Sequence, residues 1–318
     1  MAEPRVFIHA AAALGPHGDT SGAEHRLLHG DPPPLELKEL VKTVVGVSLR
    51  QASHFVELAA IGSQLCLKRL THPAPENTAV YLGSGFAETR KNELVFQQVM
   101  PPGPGMASPF DFINTAGNMA AFYTAKLANF RSRNLTVTQE EFSFEWALHL
   151  AASDLRAGET RQALVGGVDE TALSRESYLR RIALRTDQPM GEGSGWLYLD
   201  IRRDGARGEV LETRNVTRKV DLARLVSEVV RTERRKGENV ILLPGFRFEQ
   251  AEIETLVAAV SGMTARDYLG CCGCFHTASA FGLAAEFDEP HTSPTLVLHL
   301  NRNIVGHTML VVLRAFAA

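Results

Sequence analysis

The stretch Leu135-Thr-Val-Thr-Gln-Glu-Glu-Phe-Ser-Phe-Glu-Trp-Ala-Leu-His-Leu150 decides how this chain is interpreted. An apolar segment, Leu135-Thr-Val137, precedes two adjacent acids, Glu140 and Glu141, and Ala147-Leu-His-Leu-Ala151 follows them. A carboxylate offers no soft sulfur for acyl transfer and cannot form a thioester. Glu141 therefore excludes nucleophilic acyl transfer by its own side chain.

Composition narrows the class of protein further. The chain has 318 residues, 45% of them hydrophobic and 22% charged, which is typical of a globular protein with a substantial core. The net charge of -3 excludes a broad basic field for nucleic acid. No apolar run approaches the ~18–20 residues that span a membrane, and no export signal is recognised. We expect a cytoplasmic protein.

The four cysteines predict neither a disulfide nor a metal site. Three of them stand in Gly270-Cys-Cys-Gly-Cys-Phe-His276, which resembles a zinc-binding run at first sight. Adjacent and i,i+2 thiols lack the usual ligand separation, and no second cluster completes a tetrahedron. Disulfides are rare in a reducing cytoplasm. We expect no metal and no cofactor.

Strand and helix signals alternate along the chain and predict an α/β fold. Residues 35–47 and 52–70 carry helical periodicity, and Asn118 is an expected helix N-cap. Residues 196–200 and 209–213 flank a polar, Gly-containing turn and are predicted to form a hairpin. Strands and helices recur in similar order on both sides of residue 205, so we expect halves 1–205 and 206–318 that form one compact unit. Further strands are predicted at 6–9, 77–83, 163–168, 239–243, 295–300 and 309–316.

Six motifs in the right order resemble the β-ketoacyl synthases of the thiolase superfamily. Residues 135–151 resemble the family's nucleophile elbow, a strand, sharp turn and helix that present a cysteine. The resemblance implies a thiolase-like, five-layered αβαβα fold. The other motifs are Ser108-Pro-Phe with Asn118-Met-Ala-Ala, Leu155-Arg-Ala-Gly158, Ala163-Leu-Val-Gly-Gly-Val168, Gly191-Glu-Gly-Ser-Gly195 and His276-Thr-Ala-Ser-Ala-Phe-Gly282.

Carrying the family's catalytic residues onto this chain leaves a degenerate site. The cysteine position is Glu141, the first histidine position falls at Pro244, and the position of a lysine that usually precedes the second histidine is Cys271. Only His276 matches. Since the thiol and the first oxyanion donor are missing, no catalytic residue is expected. Glu141 is either a tolerated, closed-in residue or a carboxylate that supports decarboxylation, and His276 is either structural or catalytic.

The resemblance also implies where an acyl tunnel and a partner would lie. Ala116, Gly117 and Asn118 match a family segment that faces the dimer partner, so small residues there would leave room for a long chain. Phe142 and Phe144 are either ordinary core residues or a plug in the acyl pocket. We expect a pseudo-two-fold interface that uses residues 108–124 and the neighbouring strand 163–168, with the two sheets joined edge to edge.

These features lead to three functional hypotheses. The first is a chain length factor, a ketosynthase homologue that lacks the cysteine, pairs with an active β-ketoacyl-carrier-protein synthase and shapes its acyl tunnel. The resemblance implies type II polyketide, aryl polyene or fatty-acid-like synthesis, with acyl carrier protein as a possibly indirect partner and no nucleic acid or membrane. The second is an enzyme, either a malonyl-carrier-protein decarboxylase that primes synthesis and uses Glu141 and His276, or a diverged acyltransferase that uses His276. The third is a self-paired structural homodimer.

Overall fold

A computed structural model describes residues 4–20, 26–50, 52–182, 187–288 and 291–317. Within these ranges, eleven strands form one mixed sheet. They are β1 (Val6–Gly15), β2 (Gly18–Asp19), β3 (Ala79–Gly83), β4 (Asn134–Val137), β5 (Gln162–Asp169), β6 (Gly193–Asp200), β7 (Gly208–Val216), β8 (Asn239–Pro244), β9 (Met263–Ala265), β10 (Thr295–Arg302) and β11 (Thr308–Ala315).

The helices of the described chain alternate with these strands. A π-helical turn, Val41–Val45, continues the first helix, and a 3-10 turn, Glu140–Phe142, precedes the sixth. None of the described helices has the length and apolar character needed to cross a membrane. The helices are α1 (Lys38–Leu40), α2 (His54–Lys68), α3 (Thr89–Val99), α4 (Pro109–Ile113), α5 (Met119–Leu127), α6 (Ser143–Ala157), α7 (Arg175–Arg181), α8 (Leu222–Glu233), α9 (Gln250–Ala258), α10 (Leu269–Cys272) and α11 (Ala278–Asp288).

The strand order repeats itself across the sheet. Read from each edge of the sheet towards its middle, the first five strands are β4-β3-β5-β6-β1 and the other five are β9-β8-β10-β11-β7. In both runs the third strand of the run in chain order lies at the edge and the first lies in the middle of the sheet. The two runs join where Val6–Ile8 of β1 pairs with Gly208–Val210 of β7. We propose that the two halves meet in the connection between β6 and β7, around residue 205.

Helices and sheet stack in five layers, which confirms the thiolase-like αβαβα fold. Helices α2 and α5 cover the outer face of the first strand run, and α8 and α9 cover the outer face of the second. Helices α6 and α11 lie between the two runs, and their side chains share one core with residues from both. This central layer is where the elbow helix and the His276 loop meet.

The alanine-rich strand β1 shows why the layers fit together. Its side chains alternate between faces: Ala10 and Ala12 pack into the outer core with α2, whereas Ala11 and Ala13 pack into the central core with α11. Because all four are buried and small, helices approach the strand closely on both sides. The strand also runs to Gly15, well beyond the predicted end at His9.

Two sequence-based predictions about strand pairing are wrong. Strands β6 and β7 do not form a hairpin, because β1 lies between them and pairs with both. The predicted interface strand 163–168 lies within β5, which pairs with β3 on one side and β6 on the other. Such an internal strand has no free edge for a partner. The edge strand of this half is β4.

Candidate functional site: a closed nucleophile elbow

The elbow has the predicted strand, turn and helix. Strand β4 ends at Val137, and the 3-10 turn around Glu141 leads directly into α6. Glu140 adopts φ +48°, a conformation that side chains rarely take. The Ser143 hydroxyl ties the turn together, since it accepts from Gln139 N at 2.9 Å and donates to Glu140 O at 2.7 Å. This tight turn aims the Glu141 side chain towards the second half of the molecule.

Glu141 is closed in by an ion pair with Arg247. The Glu141 side chain is 1% exposed, and Arg247 Nη2 donates to its Oε1 at 2.5 Å. Arg247 follows β8 with φ +61°, and its Nη1 also donates to Arg302 O at 2.8 Å. Asn301 holds the Glu141 backbone, donating from Nδ2 to the carbonyl oxygen at 2.6 Å. The residue predicted to stand in the nucleophile position is therefore a buried carboxylate paired with a guanidinium.

A second buried cluster lies one turn further along α6. His299 Nε2 lies 3.0 Å from Glu145 Oε1, and Asn301 Nδ2 donates to the same oxygen at 2.8 Å. His299 Nδ1 lies 2.9 Å from the acceptor Leu243 O. Both ring nitrogens thus lie within hydrogen-bond distance of oxygen atoms, one on α6 and one on β8. The cluster joins the elbow helix to strands β8 and β10 of the other half.

The surroundings of His276 disfavour its protonated form. It is buried beside α11, its ring stands edge-on to Phe86 with centroids 4.2 Å apart, and its Nδ1 has no hydrogen-bond partner. Burial, followed by the charges of Arg247 and Arg181, lowers the pKa of His276 to about 3. The ring is therefore neutral near pH 7. Arg247, which pairs with Glu141, also acts on His276, where its charge opposes an imidazolium.

The other two positions predicted for the degenerate site are Pro244 and Cys271. Pro244 ends β8 and pairs with Leu300 of β10, so a rigid ring stands at the predicted position of the first histidine. Cys271 lies in α10, where its thiol donates to Asp267 O at 3.4 Å. Burial and then the charge of Asp267 raise the pKa of the Cys271 thiol. A raised thiol pKa makes it a poor nucleophile.

Asp169 organises the loops around His276, and the sequence reasoning missed it. This fully buried carboxylate accepts from Ser84 Oγ at 2.7 Å and from Thr277 N and Oγ1 at 3.0 and 2.8 Å. It also accepts from the backbone N–H groups of Gly85 and Phe86. Burial raises its pKa against the effect of these donors. The sequence signal that could have indicated Asp169 is its position as an acid directly after the apolar residues of β5.

The predicted tunnel segment lies on the surface. Ala116, Gly117 and Asn118 are exposed between α4 and α5, and a Cβ added at Gly117 would meet only the Ala87 Cβ, at 3.9 Å. Asn118 occupies the N-cap position of α5, but its side chain makes no capping hydrogen bond. Phe142 and Phe144 are buried instead, and Phe144 is part of the central core. Their predicted place beside a tunnel stays a prediction.

An apolar surface surrounds this segment, and we call it the α3–α4 face. Helices α3 and α4 contain no buried residue. They are tied to each other through Asp111, which accepts from Lys91 and Gln98 at 2.9 Å each. Below them, β4 pairs only with β3 among the described strands. The exposed apolar residues of this face are Phe96, Val99, Met100, Met106, Phe110, Phe112, Ile113, Phe122 and Leu135.

The described residues contain no group of three or more His, Cys, Asp or Glu side chains placed to hold a metal ion. The four cysteines, all within the described ranges, are free thiols and are buried. The run 270–276 folds as the short helix α10 and the loop before α11, so its three thiols do not point at a common centre.

One family model matches part of the chain. Residues 43–192 match the family described as β-ketoacyl synthase, N-terminal domain. No curated protein sequence matches the chain.

Solved ketosynthase structures share the fold of the whole chain. The ishigamide ketosynthase/chain length factor superposes with a TM-score of 0.73 at 18% identity, covering 98% of this chain and 100% of that one. The second structure is a type II polyketide synthase complex, AntDE:AntF, in which an acyl carrier protein is in complex with its ketosynthase bound to the hexaketide. It superposes with a TM-score of 0.77 at 14% identity, covering 99% of this chain and 100% of that one. The PfaC ketosynthase–chain length factor superposes at 0.73 with 11% identity, covering all of this chain and 43% of that one. The chain thus matches the β-ketoacyl synthase N-terminal domain over residues 43–192 and shares the thiolase-like fold of these ketosynthase structures throughout its described length.

Proposed function

We propose that this chain is a non-catalytic ketosynthase subunit, of the chain length factor kind, that pairs with an active ketosynthase and shapes its acyl tunnel. The observation that carries the proposal is the ion pair between Glu141 and Arg247 at the nucleophile position. A ketosynthase needs a thiolate there to take the acyl chain. In this chain a buried carboxylate occupies the position and a guanidinium covers it.

The proton chemistry of condensation is absent from the same site. Decarboxylation and condensation need donors that stabilise an enolate oxygen. Pro244 supplies no side-chain donor, and the lowered pKa of His276 leaves that ring neutral. Its Nε2 alone would be a weak substitute for the pair of histidines that the family uses.

The α3–α4 face supports an obligate partner. Permanent interfaces bury more than ~2,000 Å² and are largely apolar. Exposed apolar side chains such as Phe96, Phe110 and Phe112 would each gain roughly 1.5–3 kcal/mol on full burial. Because α3 and α4 contain no buried residue, a partner would bury the apolar side chains that they expose. We place the sheet-to-sheet contact at β4 instead of β5, since β4 has a free edge in the described structure.

Relatives of the same fold act as pairs or with a carrier protein. The ishigamide protein and PfaC are both described as ketosynthase and chain length factor, and the AntDE:AntF complex includes an acyl carrier protein. We extend these roles to this chain as part of the proposal. Its pathway would make a polyketide, an aryl polyene or a related fatty-acid-like product in the cytoplasm.

The tunnel-shaping role is tested at Gly117. Because the space beside Gly117 is open in the isolated chain, Gly117→Phe leaves the fold intact and fills part of the tunnel floor formed with the partner. We expect shorter products by mass spectrometry and an unchanged complex. Ala258→Phe, on the exposed surface of α9, is the matched control and should leave product length unchanged. Unchanged product lengths with an intact Gly117→Phe complex would leave only a scaffolding role.

The decarboxylase hypothesis has less support. Glu141 is already paired with Arg247, and a free general acid or base within reach of it is missing from the site described above. The assay is release of carbon dioxide from malonyl-carrier protein by the purified chain, compared with a Glu141→Gln variant. Release that depends on Glu141 would favour the enzyme over the partner subunit.

A further inference from the structure

A cluster of buried acids lies at the first turn of α3. Glu88, which directly precedes α3, is 0% exposed, and Glu170, which directly follows β5, is 1% exposed. Glu192 directly precedes β6 and is also buried. His54, at the start of α2, places its Nε2 atom 2.7 Å from Glu192 Oε1. The cluster therefore joins α3 to α2 and to two strands of the first half.

Two of these acids lack the partners that a buried charge needs. Glu88 Oε1 accepts from Ser53 Oγ at 2.7 Å, but its Oε2 has no hydrogen-bond partner within the described chain. Both oxygens of Glu170 also lack one there, and Arg90 Nε lies 3.8 Å from Glu170 Oε2. A buried carboxylate in such surroundings is more stable with its proton than without it. The cluster is therefore suited to hold protons.

Helix α3 is attached to the body of the protein at this same turn. None of the residues of α3 is buried. Glu88 occupies a buried position directly before the helix, and Thr89 Oγ1 donates to Phe86 O at 2.6 Å. Arg90 Nη2 donates to Thr171 O, next to Glu170. A change at Glu88 and Glu170 thus acts on the contacts that keep α3 in place.

Ala87 is a hinge point between a fixed loop and the helix. The loop before it is fixed because Asp169 accepts from the backbone N–H groups of Gly85 and Phe86. Ala87 itself adopts φ +47°, in the left-handed region that residues with a side chain rarely enter. Such a conformation persists only where its surroundings enforce it. Releasing Glu88 from its buried position would remove the constraint on the helix side of Ala87.

The two acids become charged in the same range of pH. Burial raises the pKa of Glu88 to about 7, against the Ser53 hydrogen bond and with the help of the Glu170 charge. Burial raises the pKa of Glu170 to about 7 as well, against the charges of Arg90 and His54. A raised folded pKa stabilises the attachment fully below about pH 4.3, and this stabilisation is lost as pH rises towards 7.

The histidine of the cluster changes charge in the direction that adds to this effect. Burial opposes the charged form of His54, but the hydrogen bond to Glu192 and the charge of Glu192 outweigh it and raise the pKa. His54 thus loses its positive charge as pH rises, while the acids gain negative charge. The other charged or titratable groups around the pair are Lys91 of α3, which binds Asp111 of α4, Glu57 of α2, Asp169 of β5 and Tyr178 of α7.

We propose that Glu88 and Glu170 form a proton-controlled anchor for α3. The anchor holds the first turn of the helix while the acids keep their protons, and it releases the helix at Ala87 once both are ionised. Since α3 carries Phe96 and Val99 of the α3–α4 face, pairing through that face should weaken as pH rises. This consequence rests on the proposed function, whereas the anchor is a property of the isolated chain.

Hydrogen exchange of the isolated full chain, followed by mass spectrometry from about pH 5 to about pH 8, tests the anchor. Corrected for the pH dependence of intrinsic exchange, protection of the α3 amides should fall on the order of tenfold over this range. It should also stay below that of β5, because α3 opens locally. Glu88→Gln keeps the neutral form and should abolish most of the fall. Glu93→Gln, on the exposed side of α3, is the matched control and should retain it.

Two results would overturn the anchor. One is equal protection of α3 and β5 at every pH, which would mean that α3 opens only when the whole chain unfolds. The other is a fall in α3 protection that persists unchanged in Glu88→Gln. The first comparison uses the unmodified chain, so it stands even if the variant folds poorly.

The consequence for pairing is measured separately, as the Kd for an active ketosynthase over the same range of pH. Only the closed chain pairs, so the wild-type Kd should rise by up to about tenfold while that of Glu88→Gln stays level. An identical pH dependence of Kd in both proteins would overturn the link between the anchor and pairing. The predicted exchange pattern in a chain that binds no ketosynthase would support the anchor and contradict the proposed function.

Discussion

At the residue scale, the Glu141–Arg247 pair explains how an elbow built for a nucleophile tolerates an acid. An isolated buried carboxylate would be expensive to keep charged, and a partner guanidinium offsets that desolvation. The two residues are 106 positions apart. The sequence pattern predicts Glu141 in the nucleophile position, and this stays a prediction, but nothing near Glu141 in the chain indicated Arg247. A long-range ion pair of this kind depends on how the two halves pack.

The pair makes a prediction about stability. Glu141→Gln and Arg247→Met should each lower the free energy of unfolding by about 3–5 kcal/mol, because each leaves one buried charge unpaired. The double variant should lose less than the sum of the two, and urea unfolding of all four proteins gives the coupling energy. The matched control is Arg224–Glu228, an exposed pair on α8 whose coupling should be much weaker because solvent screens it. Additive losses at Glu141 and Arg247 would contradict the ion pair.

Glu88 is a second buried acid, at the start of the α3–α4 face, and it makes stability depend on pH. Its Oε1 accepts from Ser53 at 2.7 Å, and its other oxygen has no partner. Burial, opposed by that hydrogen bond and helped by the charge of Glu170, raises the pKa of Glu88 to about 7. The folded state therefore keeps a proton that the unfolded chain releases above its ordinary pKa of about 4.3.

We expect Glu88→Gln to stabilise the protein relative to wild type as pH rises. A raised folded pKa gives stability that is fully present below about pH 4.3 and is lost as pH rises towards 7. Glutamine keeps the neutral form, so its advantage should grow from near zero at pH 4 to on the order of 2–3 kcal/mol at pH 8. Urea unfolding at several pH values measures it, with Glu93→Gln on the exposed side of α3 as control. An advantage independent of pH would show that Glu88 is charged in the folded state.

At the element scale, β4 and the α3–α4 face determine how a partner can dock. The sequence correctly indicated strands near 134–137 and 163–168, and a helix after Asn118. It could not show which strand lies at an edge, since local apolar patterns are similar in edge and central strands. The residues of α3 also carry no buried position from which periodicity could reveal a packed face.

Phe112→Glu tests the face directly. Phe112 is 65% exposed, so the charge should leave the melting temperature of the isolated chain nearly unchanged. At an apolar interface the same charge is desolvated without a partner and should dissociate the complex. Analytical ultracentrifugation measures the loss of the complex. Ile304→Glu is the matched control, because it places the same charge at an exposed apolar residue of the β10–β11 turn, and it should leave the complex intact. Dissociation by both variants, or by neither, would argue against this face.

At the scale of the whole molecule, two similar strand runs enclose one central core. The recurrence of strands and helices in the sequence predicts two halves that meet near residue 205, which stays a prediction, and the six motifs correctly pointed to the five-layered fold. The pairing of the two runs was not visible. Residues 196–200 and 209–213 are neighbours in the chain, yet β1 from the N-terminal end lies between them. A local turn signal cannot exclude a strand that arrives from two hundred residues away.

The whole molecule is proposed to pair with an active ketosynthase without being catalytic itself. One measurement tests it most directly: native mass spectrometry of this chain co-expressed with a cysteine-containing ketosynthase, after incubation with acyl-carrier protein. We predict a complex with one copy of each chain, in which the acyl adduct is found on the ketosynthase and none is found on this chain. An acyl adduct on this chain, or the absence of any complex with the ketosynthase, would contradict the account.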